Sequence, residues 1–169
     1  QFSHASDLIP YIKSRGDFDV AGACYPEGHP DSETLDEDIE NLRKKVDSGA
    51  DHLITQLFFD NDYFYNFRDK AVKAGINVPI EAGIMPVVNK NQIERMVTTC
   101  GASLPHKFVK IMQKYGQNPE AMRDAGIAYA INQIVDLAAS DVDGIHLYSM
   151  NNAYVARKIS ESVSGVLGE

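Results

Sequence analysis

The chain alternates between short apolar runs and longer amphipathic stretches. The run "FDVAGACY" is brief and almost wholly apolar, and "DHLITQLFF", "VPIEAGIMP" and "VDGIHLYSM" repeat that character. Runs of this length without polar alternation predict strands buried on both faces, as in a parallel sheet covered by helices. Between them, "SETLDEDIENLRKKVDSGA" places Leu35, Ile39, Leu42 and Val46 at helical spacing and stops at Gly49. "ASDLIPYIKSRG" reads as a helix with Ser6 or Asp7 near its N-cap and Gly16 at its end. "NDYFYNFRDKAVKAG", "NKNQIERMVTTCG", "PHKFVKIMQKYG", "PEAMRDAGIAYAINQIVDLAAS" and "NAYVARKISESVSG" complete the helical set. The predicted strands cover about 18–25, 52–59, 79–84 and 142–148, giving four consecutive βα units in one domain over residues 1–169.

Two α/β architectures satisfy this pattern: a small open sheet, or part of a (β/α)8 TIM barrel. A whole barrel usually takes about 250 residues, so four strands would make half of one. Neither G-x-G-x-x-G nor G-x-x-x-x-G-K-[ST] follows any strand, so a dinucleotide or P-loop fingerprint is not supported.

Composition narrows the partners. With 44% hydrophobic and 24% charged residues in 169, the chain suits a globular domain with a sizeable core. The net charge of −8 argues against a nucleic-acid partner, which needs a basic face. No apolar run approaches the length of a membrane span, and no signal peptide is evident. Cys24 and Cys100 are too few for a disulfide framework and suit a cytoplasmic protein. The histidines are scattered without metal-ligand spacing, and neither cysteine lies in a nucleophile motif, so no metal site and no catalytic thiol are expected.

Ligands of parallel α/β folds bind at the carboxyl ends of the strands. The first strand ends in "CYPEGHP", which offers Tyr25, Glu27 and His29 between Pro26 and Pro30. The second carries Thr55 and Gln56, then Asp60; the third ends in "GIMP"; the fourth ends in Tyr148, Ser149 and Asn151. Rings and amides with few charges suit a planar, hydrogen-bonding heterocycle. Tyr25 is equally readable as a boundary tyrosine, and His29 as a turn histidine bonding its own backbone. Gln56, among apolar residues, must find partners or face a ligand. Asp38, Asn41 and Lys45 share a helix face at i, i+3 and i+7, either as a solvated surface or as a polar row tracking a ribose and phosphates. Tyr63, Phe64, Tyr65 and Phe67 are explained by core packing.

In order and spacing, "ASDL", "GACYPEGHP", "LRKKVDSGADHLITQLFFD", "GIMPV" and "IHLYSMN" resemble the C-terminal half of methylenetetrahydrofolate reductases, over essentially the whole chain. The resemblance implies a (β/α)8 barrel, these strands being its fifth to eighth. It implies FAD at the strand ends, and reduction of methylenetetrahydrofolate to methyltetrahydrofolate within one-carbon metabolism and methionine biosynthesis. Electrons would come from NAD(P)H or another reductant. By position, Tyr25 would lie against the flavin, and His29, Asp38, Asn41 and Lys45 would hold its ribityl, phosphate and adenosine portions. His4 and Ala5, in the opening loop, would also touch FAD, although the family often has tyrosine at His4. Gln56 would meet folate and nicotinamide, and Gln92 would contact folate. Met96 stands where some members place an aromatic ring, and Tyr148 would lie on the substrate side. Asn152 stands where some members carry a basic residue that helps bind folate. The family's catalytic glutamate and flavin-edge aspartate belong to the N-terminal half, so no catalytic residue is expected here and the fragment is expected to be inactive alone. Its expected partners are folate and either a second copy, in a non-catalytic self-associating half-barrel, or the missing N-terminal half.

Overall fold

The computed structural model describes residues 2–168, except for the side chains of residues 92, 94 and 95. Four strands, β1 (Ala21–Cys24), β2 (His52–Thr55), β3 (Ile80–Ile84) and β4 (Gly144–Leu147), are joined by seven helices. These are α1 (Ala5–Lys13), α2 (Leu35–Asp47), α3 (Asn61–Lys73), α4 (Lys90–Cys100), α5 (His106–Tyr115), α6 (Pro119–Ala139) and α7 (Ala153–Leu167). All strand pairs are parallel, and the sheet order is β1-β2-β3-β4. The order runs in one direction, without the reversal that marks a doubly wound sheet.

Local chemistry sets the helix ends. The Thr34 side chain accepts from the Glu37 N–H at the start of α2, and Asp60 and Asn118 cap α3 and α6 in the same way. Asp7 is not the cap of α1 but its third residue. The cap is His4, and the Asp7 carboxylate accepts from the N–H groups of Ser3 and His4 at 3.1 and 3.0 Å. Gly49 and Gly75 take left-handed conformations just after α2 and α3.

The strands are shorter than the apolar runs that announced them. Residues 57–59 leave the ladder: Leu57 and Phe59 turn into a second apolar cluster with Met85, Val87, Ile93, Phe108 and Met122. Their hydrophobicity serves that cluster rather than strand pairing. The main core lies between the helices and one sheet face, with Cys24, Leu53, Ile80, Ala82 and Ile84 packed on Ile39, Leu42, Phe64, Phe67 and Ile134. The opposite face stays open: Ala21 and Ala23 are exposed, and His52, Ile54, Glu81 and His146 are half-buried. There the Glu81 carboxylate sits between two imidazoles, 3.8 Å from His52 Nε2 and 3.7 Å from His146 Nδ1. Among the described residues no helix is long and apolar enough to cross a membrane.

Candidate functional site

The turn after β1 is held by its own backbone and by α2. Gly28 has φ +90° and its N–H donates to the Tyr25 carbonyl at 3.0 Å, closing a tight turn that a side chain at residue 28 would strain. The Asp38 carboxylate, buried on the first turns of α2, accepts from the His29 N–H at 3.1 Å and from the Ser32 hydroxyl at 3.4 Å. Burial pushes the Asp38 carboxyl above the usual carboxylate range, opposed by the His29 N–H. Tyr25 and His29 meet edge to face, ring centres 4.6 Å apart. Burial, and then the nearby Asp38 carboxylate, raise the Tyr25 phenol.

Lys45, two turns along α2 from Asp38, donates to the Ala23 carbonyl of β1. Burial lowers its ammonium pKa, partly offset by Cys24 and Asp38. Thus Asp38 and Lys45 converge on the first strand and its turn. Asn41 shares their face but is exposed, and its side-chain oxygen accepts from Lys44 at 3.0 Å.

On the open face, Ala21, Gly22, Ala23, Ile54, Gln56, His146 and Tyr148 line a hollow of about 300 Å³. The Gln56 N–H extends the β1 ladder to the Cys24 carbonyl at 2.7 Å, while its side-chain oxygen accepts from the Leu57 N–H at 3.0 Å. The Tyr148 hydroxyl donates to the Thr55 carbonyl at 2.8 Å, so its ring rather than its hydroxyl faces the hollow. Met96 packs against the second apolar cluster beside Cys100 and Tyr148. Gln92 lies on α4, but its side chain falls outside the described residues. Asn152 is the N-cap of α7, its side-chain oxygen accepting from Val155 N–H at 3.2 Å. Asp60, at the end of the second predicted strand, is likewise consumed as a helix cap.

His4 and Ala5 open α1 and are exposed. The far end of α1 is fixed by Lys13, which pairs with Asp51 immediately before β2. The chain therefore runs along α1 from the strand-carboxyl end to the strand-amino end, which places His4 and Ala5 at the end where ligands bind in such folds. Glu27 stood among the residues at the first strand end, but the sequence assigned it no role. Its only sequence signal was its position inside "CYPEGHP", because its partner, Ser103, is 76 residues away. Among the described residues no group of three or more His, Cys, Asp or Glu side chains could hold a metal ion.

The fold and this arrangement define an α/β protein of consecutive parallel βα units with polar and aromatic side chains gathered at the strand ends. The chain belongs to the methylenetetrahydrofolate reductase family, whose profile matches residues 1–164. It is 34% identical over 160 residues to the 5,10-methylenetetrahydrofolate reductases of Pectobacterium carotovorum and Escherichia coli, covering 95% of this chain and 54% of each relative. Methylenetetrahydrofolate reductase 1 of Schizosaccharomyces pombe is 35% identical over 170 residues, covering 99% of this chain and 28% of that protein. The chain thus spans about half the length of the bacterial relatives it matches. Among solved structures, it is similar to a protein from Clostridium thermocellum that binds two copies of 5-methyl-5,6,7,8-tetrahydrofolic acid. That likeness has a TM-score of 0.65 at 15% identity, and covers 95% of this chain and 58% of the other.

Proposed function

We propose that this chain is the C-terminal half of a (β/α)8 reductase barrel, carrying one wall of an FAD site and part of the folate site. The parent enzyme reduces 5,10-methylenetetrahydrofolate to 5-methyltetrahydrofolate in the cytoplasm. The observation that carries this reading is the convergence of Tyr25, His29, Asp38 and Lys45 on β1 and its turn, beside the hollow that Ala23, Gln56 and Tyr148 line. Family membership, the consecutive strand order and a match to about half of the bacterial relatives support it.

The residues present fit a flavin dinucleotide. Lys45 and the His29 ring supply donors for the polar tail, and Asp38 supplies an acceptor already desolvated by the protein. Tyr25 offers a half-buried ring backed by His29. When bound, FAD would supply a two-electron carrier between NAD(P)H, or another reductant, and the folate. Tyr25 would then cover the ring system, and Asp38, Asn41 and Lys45 would fix the tail with His29, His4 and Ala5. Gln56 would orient the folate and nicotinamide by its free amide edge. Gln92, Met96, Tyr148 and Asn152 would bound the folate side. We assign no proton donor for the folate to this chain, so the isolated half should be inactive.

The test is an FAD titration followed by a reductase assay. Saturable quenching of flavin fluorescence without turnover is expected. Turnover by these 169 residues alone would overturn the inactivity, and no saturable binding even with the complementary half supplied would overturn the flavin site.

A second reading rests on a different observation. The end helices of the layer expose large apolar side chains, as other helices also do: Leu8, Tyr11 and Phe18 lie around α1, and Tyr154, Val166 and Leu167 on α7. With the outer edges of β1 and β4 they form two seams that another half-barrel, or a second copy of this chain, would cover. A sedimentation profile showing a well-folded, strictly monomeric species at high concentration would count against the second copy.

A further inference from the structure

We infer that Glu27 is a positioning residue that clasps the two walls of the candidate site together. This rests on the proposed reading of the "CYPEGHP" turn as the flavin-side wall. Glu27 stands at the third position of the turn closed by Gly28. Both oxygens of its carboxylate accept from one donor, the backbone N–H of Ser103, at 3.1 and 3.0 Å. Ser103 lies in the short connection between α4 and α5, beyond the left-handed Gly101 that ends α4. On either side of it, Ala102 is buried in the second apolar cluster and Leu104 packs against that cluster, which also holds Met96, Phe108 and Met85.

The geometry has a mechanical consequence. The connection from α4 to α5 is rigid from below, because Ala102 and Leu104 anchor it to the cluster. The turn is rigid from the α2 side, because Asp38 holds His29. Glu27 joins these two anchored bodies by a charge-assisted hydrogen bond, the stronger kind. It therefore sets the separation between the Tyr25 ring and α4, which carries Met96 and Gln92. Two planar ligands reacting face to face need that separation held to a fraction of an ångström. The donor is a backbone N–H flanked by anchored neighbours, so only the Glu27 side chain has rotamers to be fixed. The clasp also explains why the turn carries a carboxylate that touches neither α2 nor the open sheet face.

The inference is tested on this chain by amide hydrogen exchange in the wild type, Glu27→Ala and Glu27→Gln. In Glu27→Ala, exchange should quicken by about tenfold both at Ser103 and at Gly28, whose N–H closes the turn. Glu27→Gln keeps an acceptor oxygen and should stay within about threefold of wild type at both. Faster exchange at Ser103 with Gly28 unchanged would overturn the clasp, since the turn would then hold without it. FAD serves as the ligand probe. Its affinity should fall about fivefold or more in Glu27→Ala and recover in Glu27→Gln. Coupled exchange with unchanged FAD affinity would overturn the positioning role. If wild type with the complementary half binds no FAD, the proposed flavin site fails, while the exchange arm still decides the clasp.

Discussion

The Tyr148 hydroxyl donates to the Thr55 carbonyl at 2.8 Å, reaching across β3 from the end of β4 to the end of β2. Beneath the ring lies Gly83, whose N–H donates to the Thr55 hydroxyl at 2.8 Å. Three strands are thus locked together at the level of Gln56, on the rim of the hollow. The lock requires the absence of a side chain: a Cβ at residue 83 would come within 2.2 Å of the Thr55 carbonyl oxygen and 2.7 Å of Tyr148 Cε2.

Gly83→Ala should therefore cost about 3 kcal/mol or more, because the opposing atom is backbone within a ladder and cannot retreat. Gly126→Ala should behave alike, since its Cβ would meet the Val87 carbonyl oxygen at 1.8 Å. Urea denaturation of the two variants checks this. A loss confined to a few tenths of a kcal/mol would mean that the strand ends yield.

Tyr148→Phe keeps the ring and removes the hydroxyl. The Thr55 carbonyl then loses a half-buried partner, and stability should fall by about 1 kcal/mol. The folate contact proposed for Tyr148 is through its ring, so substrate affinity in the assembled enzyme should change less than stability.

Tyr25→Ala should weaken FAD binding by up to about tenfold while Tyr25→Phe leaves it nearly unchanged, as expected of a stacking ring. Thermal melts run in parallel separate this from packing. If Tyr25→Ala loses fold stability as steeply as flavin affinity, the tyrosine is a boundary residue of the core.

Asp38 gives a pH signature. Burial raises its folded-state pKa above the usual carboxylate range, so the folded protein holds that proton more tightly than the unfolded chain. The stability from this preference is complete below the unfolded value and is lost as pH rises through the folded one. Asp38→Asn cannot ionise and its amide oxygen can still accept from His29. Its stability relative to wild type should therefore increase between about pH 4 and pH 7. Denaturation midpoints across that window check the sign, and a constant difference would refute it.

Lys45 also covers a strand edge. The Val20 and Cys24 carbonyls point into the sheet, accepting from Asp51 and Gln56, so the intervening Ala23 carbonyl points to the open edge of β1. Lys45 covers it, in the way charged side chains guard strand edges. Lys45→Met should increase self-association in sedimentation experiments, and an unchanged profile would show that the edge needs no guard.

Some of this was legible along the chain. Leu35, Ile39, Leu42 and Val46 announced the buried face of α2, and all four pack in or against the main core. The glycines at 49 and 75 ended their helices as expected. That the four strands run parallel followed from their alternation with helices, whereas their order in the sheet came from the structure; the motifs at their ends carried the family. The common helix face of Asp38 and Lys45 was legible as a spacing, although that spacing equally described a solvated surface.

Other features were not legible, for one recurring reason. Leu57 and Phe59 looked like strand because apolar runs do not say what they pack against, and here a second cluster claims them. Asp60 and Asn152 carry a duty the chain did not announce, because a polar residue at a strand end serves a helix cap equally well. Asn41 fell on the right helix face yet bonds its neighbour Lys44. Glu27 had nothing nearby in the chain to mark its partner.

Periodicity, caps and turn residues act between positions a few residues apart, so the chain's own order specified the helices, their inward faces and the succession of strands. Whether a polar side chain is spent or free depends on distances between segments dozens of residues apart, set by the summed lengths of the crossovers and the packing of two apolar clusters. That geometry alone decided that Tyr148 offers its ring and not its hydroxyl, and that Lys45 lies on an edge carbonyl. It also brought Glu27 to Ser103, across 76 residues of chain.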